Sequence, residues 1–225
     1  MRAGRRLLAI LTAGLSCAGC MSVKWEPPPR PVGAAPEAVT ALRVFEELVP
    51  RRLQMVNTVL FQYRGRRMTG LGFLDVNTVQ RSFGLSAMTP SSVTLFEITC
   101  TNGVSGCRFG VGPFGTNAAI TAAIAGDVQR MYFDLFPPEG AASRTEANTL
   151  VLRSEAGSAA TEWVFGSGTV LLEKRFFEGG RLIAHAGYYE YTLENGRRVP
   201  HRVMLHNVRY GYGLTVRLKE LRLCE

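Results

Sequence analysis

Five cysteines are the residues of this 225-residue chain best suited to covalent chemistry: Cys17, Cys20, Cys100, Cys107 and Cys224. Cys100 and Cys107 flank a turn-rich stretch that lies between two strand-like runs. Because opposite positions on a hairpin lie close enough to bridge, we predict a Cys100–Cys107 disulfide, which an oxidising compartment would permit. Cys224 is then the odd cysteine.

The other reactive residues form no recognisable catalytic or metal-binding pattern. His185, His201 and His206 are scattered, no Cys/His spacing is typical of a zinc site, and no G-x-S-x-G sequence is present. The glycine-rich residues 110–115 precede a predicted helix, as a phosphate loop would. Pro113 removes a backbone donor there and no Gly-Lys-Ser/Thr follows, so a turn is predicted. We therefore expect no enzyme activity, no metal and no cofactor.

The first 19 residues, 1–19, have the pattern of a secretory signal peptide. Arg2, Arg5 and Arg6 form a basic start, and a short apolar run over residues 7–15 follows it. This run is too short to span a bilayer, which takes about 20 apolar residues. Small residues then lead to Cys20, where cleavage would occur.

The residues before Cys20 resemble the lipobox of bacterial lipoproteins, in which the cysteine thiol is acylated and becomes the new N-terminus. Ala18 and Gly19 match this pattern, whereas Cys17 stands where lipoproteins prefer leucine. The resemblance implies acylation of Cys20, palmitate included. The alternatives are modification of Cys17, or ordinary secretion with Cys20 paired to another cysteine.

The lipobox resemblance also implies a location. Each buried methylene contributes roughly 0.8 kcal/mol, so several acyl chains on one cysteine would anchor the chain durably. In lipoproteins an Asp directly after the modified cysteine usually retains the protein at the inner membrane, and Met21 occupies that position here. We therefore expect an outer-membrane lipoprotein that faces the periplasm.

The net charge of the mature chain is modest. Removing the three signal arginines from a net charge of +8 leaves +5. The basic residues form no long run and accompany no nucleic-acid motif, so nucleic acid is not an expected partner. A weak attraction to anionic lipid headgroups is more natural. We expect a monomer.

Composition divides the mature chain into a tether and one domain. Residues 20–36 contain Pro27, Pro28, Pro29 and Pro31, which favour an extended polyproline conformation that cannot pack into a core. We therefore expect a spacer that lifts the domain off the bilayer. The remaining residues, 37–225, have a length that suits a single domain.

Helical and strand periodicities alternate within that domain. Residues 37–48 carry apolar residues at helical spacing after Pro36. Residues 117–133 form a second such stripe, with Thr116 as the predicted cap. The other segments alternate with a period of two, and Asn195-Gly196 is a strong hairpin signal. Roughly ten strands and two main helices are predicted.

A helix inserted between antiparallel runs must bury its apolar stripe against the sheet. We therefore predict a mainly β (α+β) fold in which a curved sheet and a helix enclose an apolar cavity. The alternative is a solid core, because side-chain patterns alone do not separate the two. The residues predicted to line the cavity are Phe61, Leu71, Phe73, Phe96, Ile98, Trp163, Phe165, Phe177, Leu214 and Val216. Tyr189 is also expected to contribute its side chain to the cavity.

Four stretches, taken in order, resemble the LolA/LolB-type lipoprotein carriers and receptors. They are the lipobox at Cys20, the strand–loop–strand of residues 81–98, the helix end over residues 127–137, and the closing strands of residues 196–218. The resemblance implies an incomplete antiparallel β-barrel with a helical lid over an apolar cavity.

The same resemblance implies a function. In that family the cavity receives the acyl chains of lipoproteins from a periplasmic carrier, and the receptor member inserts them into the outer membrane. Such transfer needs non-directional apolar contact and no catalytic group. The receptor's insertion loop corresponds to residues 87–92, where Met88 is the expected membrane contact. The rival function is a structural or assembly lipoprotein that uses the same fold as a docking surface.

Overall fold

Strands dominate the computed structural model, in which residues 25–30 and 32–224 are described. The helices are α1 (Ala38–Leu48), α2 (Pro113–Thr116) and α3 (Ala118–Tyr132). The strands are β1 (Arg52–Tyr63), β2 (Arg66–Asn77), β3 (Ser82–Met88), β4 (Thr94–Thr101), β5 (Val104–Gly110), β6 (Ala142–Glu146), β7 (Thr149–Ala156), β8 (Ala159–Gly166), β9 (Val170–Glu178), β10 (Arg181–Glu194), β11 (Arg197–Asn207) and β12 (Tyr212–Leu223).

All these strands belong to one antiparallel sheet. Its order is β5-β4-β3-β2-β1-β12-β11-β10-β9-β8-β7-β6, so every neighbour is a chain neighbour except the pair β1–β12. The two edge strands, β5 and β6, are not paired with each other, and the connection between them carries α2 and α3. The predicted incomplete antiparallel barrel with a small helical part is confirmed.

Local sequence accounts for the main boundaries. Asn195 and Gly196 both have positive φ, as a type I′ turn requires, and they join β10 to β11. The Asn117 side chain, rather than the predicted Thr116, caps α3: its Oδ1 accepts hydrogen bonds from the Ala119 and Ile120 amides at 3.0 and 3.4 Å.

The glycine-rich residues 110–115 make a tight connection between β5 and α2. A Cβ built on Gly110 would lie 2.5 Å from the Gly115 nitrogen, so the two backbones approach as only glycine permits. The predicted turn is therefore a short helix held against the edge strand.

A solid core fills the half of the sheet formed by β7 to β11. The α1 residue Phe45 packs on Phe165 with ring centroids 5.3 Å apart, and both rings are fully buried. Trp163, Leu171 and Tyr188 are buried in the same cluster. These large side chains fix α1 and the C-terminal end of α3 to the sheet.

The N-terminal segment differs from the predicted spacer. Although it is rich in proline, it packs on the outer face of the sheet: the Trp25 ring contacts the tilted His185 ring with centroids 3.7 Å apart, and Pro28 is buried. The predicted signal peptide and Cys20 lie outside the described residues. Among the helices of residues 25–30 and 32–224, none combines the length and apolar character that crossing a membrane takes.

Candidate binding cavity

A cavity of about 410 Å³ lies between α3 and the inner face of β1 to β4 and β12. Helix α3 contributes an apolar stripe, and the strands contribute mostly aliphatic side chains. The wall is almost wholly apolar, and its members include Val59, Phe61, Leu74, Leu85, Phe96, Ile120, Ala123, Ile124, Val128, Leu214 and Val216. Its volume falls within the range of about 300–1,000 Å³ that is usual for ligand pockets.

The cavity reaches the surface where β2 begins. Met68 and Thr69 of β2 and Ala123 of α3 line the cavity and are exposed, so these three residues define its mouth. Met68 pairs directly with Phe61 across the β1–β2 hairpin. The mouth therefore opens beside that hairpin.

A buried polar cluster interrupts the apolar wall. The Tyr212 hydroxyl donates to Asp127 Oδ2, and Arg130 Nη1 donates to Asp127 Oδ1 at 2.9 Å. The Asn207 amide donates to the Tyr212 oxygen at 3.1 Å. Since every member already has a partner within the cluster, the group ties α3 to β12.

The electrostatics of this cluster follow from its burial. Loss of water contact raises the pKa of the Asp127 carboxyl above its ordinary value, and the hydrogen bond from Tyr212 and the charge of Arg130 oppose that rise. Burial, with the adjacent Asp127, also raises the pKa of the Tyr212 hydroxyl. The tyrosine therefore stays protonated at neutral pH and remains a hydrogen-bond donor.

The C-terminal end of α3 is held by side chains from the sheet. Lys174 Nζ donates to the Phe133 carbonyl at 2.7 Å and to the Arg130 carbonyl at 3.2 Å, and Tyr188 donates to the Met131 carbonyl at 2.9 Å. These donors satisfy carbonyls that a helix end leaves unpaired. In contrast, residues 115–119 at the other end are exposed. Helix α3 is thus fixed at one end and lightly held at the cavity-mouth end.

The structure brings five of the ten predicted lining residues to the cavity: Phe61, Leu71, Phe96, Leu214 and Val216. Trp163 and Phe165 are instead buried in the solid core, and Ile98 of β4 is buried without lining the cavity. Phe73 is 40 % exposed, and it borders an open groove on the outer side.

Two predicted aromatic positions lie away from any apolar hollow. Phe177 carries the Arg153 guanidinium over its ring at 5.1 Å and does not line the cavity. Tyr189 lies on the outer face, where its hydroxyl donates to the Glu26 carbonyl. Both belong to strands of the filled half, whose inner positions are taken by other side chains.

Met88 does not lie at the tip of the predicted membrane-contact loop. It ends β3, is half-buried and lines the cavity. The loop proper covers residues 89–93, and its exposed large apolar side chain is Val93, at 56 %.

The predicted Cys100–Cys107 disulfide is not present, and both thiols are free. A two-residue turn at Asn102 and Gly103 pairs Thr101 with Val104, and this register places Ser105 opposite Cys100 and Cys107 opposite Ile98. Diagonal neighbours on a sheet are about 7–8 Å apart, which exceeds the usual reach of a disulfide. Cys100 is buried and accepts a hydrogen bond from the Gln129 amide at 3.4 Å.

Sequence reasoning missed the Asp127–Tyr212 pair. Asp127 follows Ala123 by four residues and precedes Met131 by four, so it shares their helix face. A charged residue on an apolar stripe was the available signal. Among the described residues, no group of three or more His, Cys, Asp or Glu side chains is placed to hold a metal ion.

Comparisons with known proteins identify the fold. No family model and no curated protein sequence matches the chain. A LolA superfamily protein from Nitrosomonas europaea matches with a TM-score of 0.52 at 13 % identity, over 85 % of this chain and 95 % of that one. A domain from Vibrio parahaemolyticus, named for outer membrane lipoprotein sorting, matches with a TM-score of 0.54 at 10 % identity, over 82 % and 91 %. The resemblance stated from the sequence is confirmed for the fold.

Proposed function

We propose that this chain, which has the fold of the LolA superfamily, is a membrane-anchored protein that shelters acyl chains in the cavity beneath α3. The cavity itself carries the proposal, because its wall is almost wholly apolar over about 410 Å³. Acyl chains of lipoproteins or lipids are the matching cargo, since hydrocarbon needs apolar surface and no specific polar partner.

Hydrocarbon in the cavity is energetically favoured over water. Because the cavity opens to the surface, an acyl chain that enters it leaves water for an apolar wall. A segment of about eight methylenes would contribute roughly 6 kcal/mol of favourable transfer.

The arrangement of α3 supplies a route for loading. Its C-terminal end is fixed by Lys174 and Tyr188, whereas its N-terminal end lies beside the mouth and is exposed. Small rotations about the fixed end would widen the mouth while the core stays intact. Elements that move for binding are commonly drawn from the less stable parts of a fold.

The polar cluster fits a non-enzymatic role. The Asp127 carboxylate, the Tyr212 hydroxyl and the Arg130 guanidinium are paired with one another. Their hydrogen bonds are made within the cluster, which supports a structural role that ties α3 to β12. We therefore propose binding and hand-over of acyl chains, without catalysis.

The remaining parts of the proposal come from the sequence. The lipobox resemblance supports acylation at Cys20, and Met21 after it supports the outer membrane, with the domain facing the periplasm. The Vibrio neighbour, named for outer membrane lipoprotein sorting, supports the same setting. Membrane contact through Met88 remains a proposal, and the position of that residue in the cavity wall makes contact with bound acyl chain its more direct role.

The test is to purify the Cys20→Ser chain and extract it with organic solvent for mass spectrometry. We expect co-purified fatty acids or lipids, and saturable binding of a fluorescent fatty acid after delipidation. A clean extract together with no probe binding would contradict the proposal and favour the rival function, a docking lipoprotein with an unused cavity.

A further inference from the structure

The segment that precedes α1 runs along the outer face of the sheet in a defined direction. Gly33 lies against Ser167 in the β8–β9 turn, at the end of the sheet away from the β11–β12 turn. Trp25 lies against His206, the residue before the last of β11. We call residues 25–30 with Val32 and Gly33 the strap.

The site that receives Trp25 is built into the sheet. Its indole contacts the tilted His185 ring with centroids 3.7 Å apart, and the more nearly parallel His206 ring lies 6.4 Å away. Beneath it, His185 Nδ1 hydrogen-bonds Glu173 at 3.0 Å, and His185 Nε2 hydrogen-bonds His206 Nδ1 at 3.1 Å. His185 and Glu173 face the outer side of the sheet and are nevertheless buried, so another part of the chain must cover them. The strap is that cover.

A glycine makes room for the indole. A Cβ built on Gly187 would lie 2.9 Å from the Trp25 ring and 2.7 Å from the Tyr189 hydroxyl. Real Cβ atoms do not approach that closely. A side chain at this position of β10 would therefore force the Trp25 ring or the Tyr189 side chain to move, and a branched one would fill the space of the indole.

The next residue adds polar contacts. Glu26 accepts a hydrogen bond from Tyr189 through its carbonyl, and its side chain lies 3.3 Å from Arg202 Nη1. The Arg202 guanidinium stacks over the Tyr189 ring at 4.3 Å. The Trp25 ring, the Glu26 carbonyl and the Glu26 carboxylate thus fix these two consecutive strap residues in position on the sheet.

The direction of the strap brings Trp25 toward one end of the sheet. Followed backward from Gly33 to Trp25, the strap approaches the end of the sheet that carries the β1–β2 and β11–β12 turns. The cavity mouth at Met68 lies at the same end. Cys20 is five residues before Trp25, so the two Cα atoms are separated by at most about 18 Å.

The surface at this end suits a bilayer of anionic lipid. Arg64, Arg66 and Arg67 crowd the β1–β2 hairpin without a neighbouring acid in that hairpin. Exposed large apolar side chains surround them: Tyr63, Met68, Val93, Phe109, Val111, Val208 and Tyr210. Basic and aromatic or aliphatic residues together favour the headgroup region of an anionic membrane.

We infer that docking of Trp25 in the Gly187 site holds the anchoring residue at the cavity-mouth end, so that the mouth faces the bilayer to which the chain is attached. This inference rests on the proposed anchoring at Cys20. The predicted spacer would only keep the domain near the membrane. The strap would also set the orientation of the domain relative to the membrane.

The experiment couples a maleimide phospholipid to Cys20 of the mature chain, in a Cys107→Ser, Cys224→Ser background with Cys100 buried. Vesicles of neutral phosphatidylcholine are used, because they remove the attraction of basic residues to anionic lipid and leave the effect of the strap. Hydroxyl-radical footprinting then compares anchored and free protein. We expect several-fold slower modification of Met68 and Tyr210 on vesicles, and unchanged modification of Val79 and Leu193 at the opposite end.

Three variants test the role of the strap. Trp25→Ala and Gly187→Val should restore the modification rate of Met68 and Tyr210 toward that of the free protein. Gly84→Val is the matched control, because a Cβ on this strand glycine meets nothing within 4 Å. Equal protection at both ends of the wild-type protein, or protection unchanged in Trp25→Ala, would overturn the inference.

The outcome is separable from that of the proposed function. Fluorescent fatty-acid binding to the free variants reports on the cavity alone, and the mass of the natural N-terminus reports on acylation alone. The coupled phospholipid supplies the anchor in either case. A misoriented protein that still binds the probe would overturn the strap inference and leave the cavity proposal standing.

Discussion

Two halves of one sheet are packed in opposite ways. Under α1, rings such as Phe45 and Phe165 are fully buried, and the space left in that region is about 50 Å³. Under the exposed face of α3, the space is about 410 Å³. The same antiparallel strands therefore support a solid core at one end and a hollow at the other.

The difference lies in side-chain size at the positions that face the helices. The filled half presents Trp163, Phe165 and Tyr188 to its helices. The hollow half presents Gly70, Gly72 and Ala87 to α3. Apolar character is present in both halves, so the cavity results from small residues opposite α3 and not from a shortage of hydrophobic ones.

The largest expected contrast between the halves is in stability. Phe165→Ala should lower the free energy of unfolding by about 3–5 kcal/mol, because it leaves a void in a close-packed cluster. Phe61→Ala should cost about 1 kcal/mol, since that ring already borders open space. Urea denaturation of both variants measures the difference. Equal losses would mean that the two halves are packed alike.

The filled half also carries a pH dependence of its own, through the buried Lys174. Burial lowers the pKa of Lys174 to about 7, from an ordinary value of 10.5. Between these values the unfolded chain binds more protons, so the free energy of unfolding rises with pH, by up to about 1.4 kcal/mol per unit. Lys174→Met abolishes that titration.

The measurement is urea denaturation of wild type and Lys174→Met from about pH 7 to about pH 9. Wild-type stability should increase relative to the variant across this window. Parallel stability curves would show that the lysine does not titrate in the folded protein at these pH values, and that its bonds to the α3 carbonyls are those of a permanently charged group.

The smallest expected effect lies at the lightly held end of α3. Asn117→Ala removes the cap and should cost about 1 kcal/mol, with faster hydrogen exchange confined to residues 118–122. Thr116→Ala is the matched control, because Thr116 bonds only the Gly112 carbonyl. If both variants behave alike, the mouth end of α3 is secured by packing instead of its cap.

The sequence predicted where the helices and strands lie better than it predicted which face of each strand points inward. The period of α3 and the Asn195-Gly196 turn are local properties, and both were recovered from the chain. The inward face of β2 was not predicted correctly. Gly70 and Gly72 occupy inward positions, so this face lacks the large apolar side chains that would have marked it in the sequence. Leu71 and Phe73 supplied the apparent pattern, and Phe73 proved to face outward.

The remaining errors have the same origin in non-local structure. The Cys100–Cys107 prediction assumed a longer turn, whereas a two-residue turn pairs Thr101 with Val104 and leaves the two cysteines at diagonal positions. The proline-rich segment was expected to act as a spacer, yet the contact of Trp25 with His185 depends on a strand more than 150 residues away. Local propensity carries no information on either.

The most direct test of the cavity is to fill it from α3. Ala123 lines the cavity, whereas its exposed neighbour Ala122 does not. Binding of a dansyl-labelled undecanoic acid to Ala123→Trp and Ala122→Trp, both delipidated and checked for folding, compares one residue type at adjacent positions. We predict that Ala123→Trp loses about tenfold or more in affinity, which is about 1.4 kcal/mol, while Ala122→Trp binds as wild type. Equal affinities in two folded variants would contradict binding of hydrocarbon beneath α3.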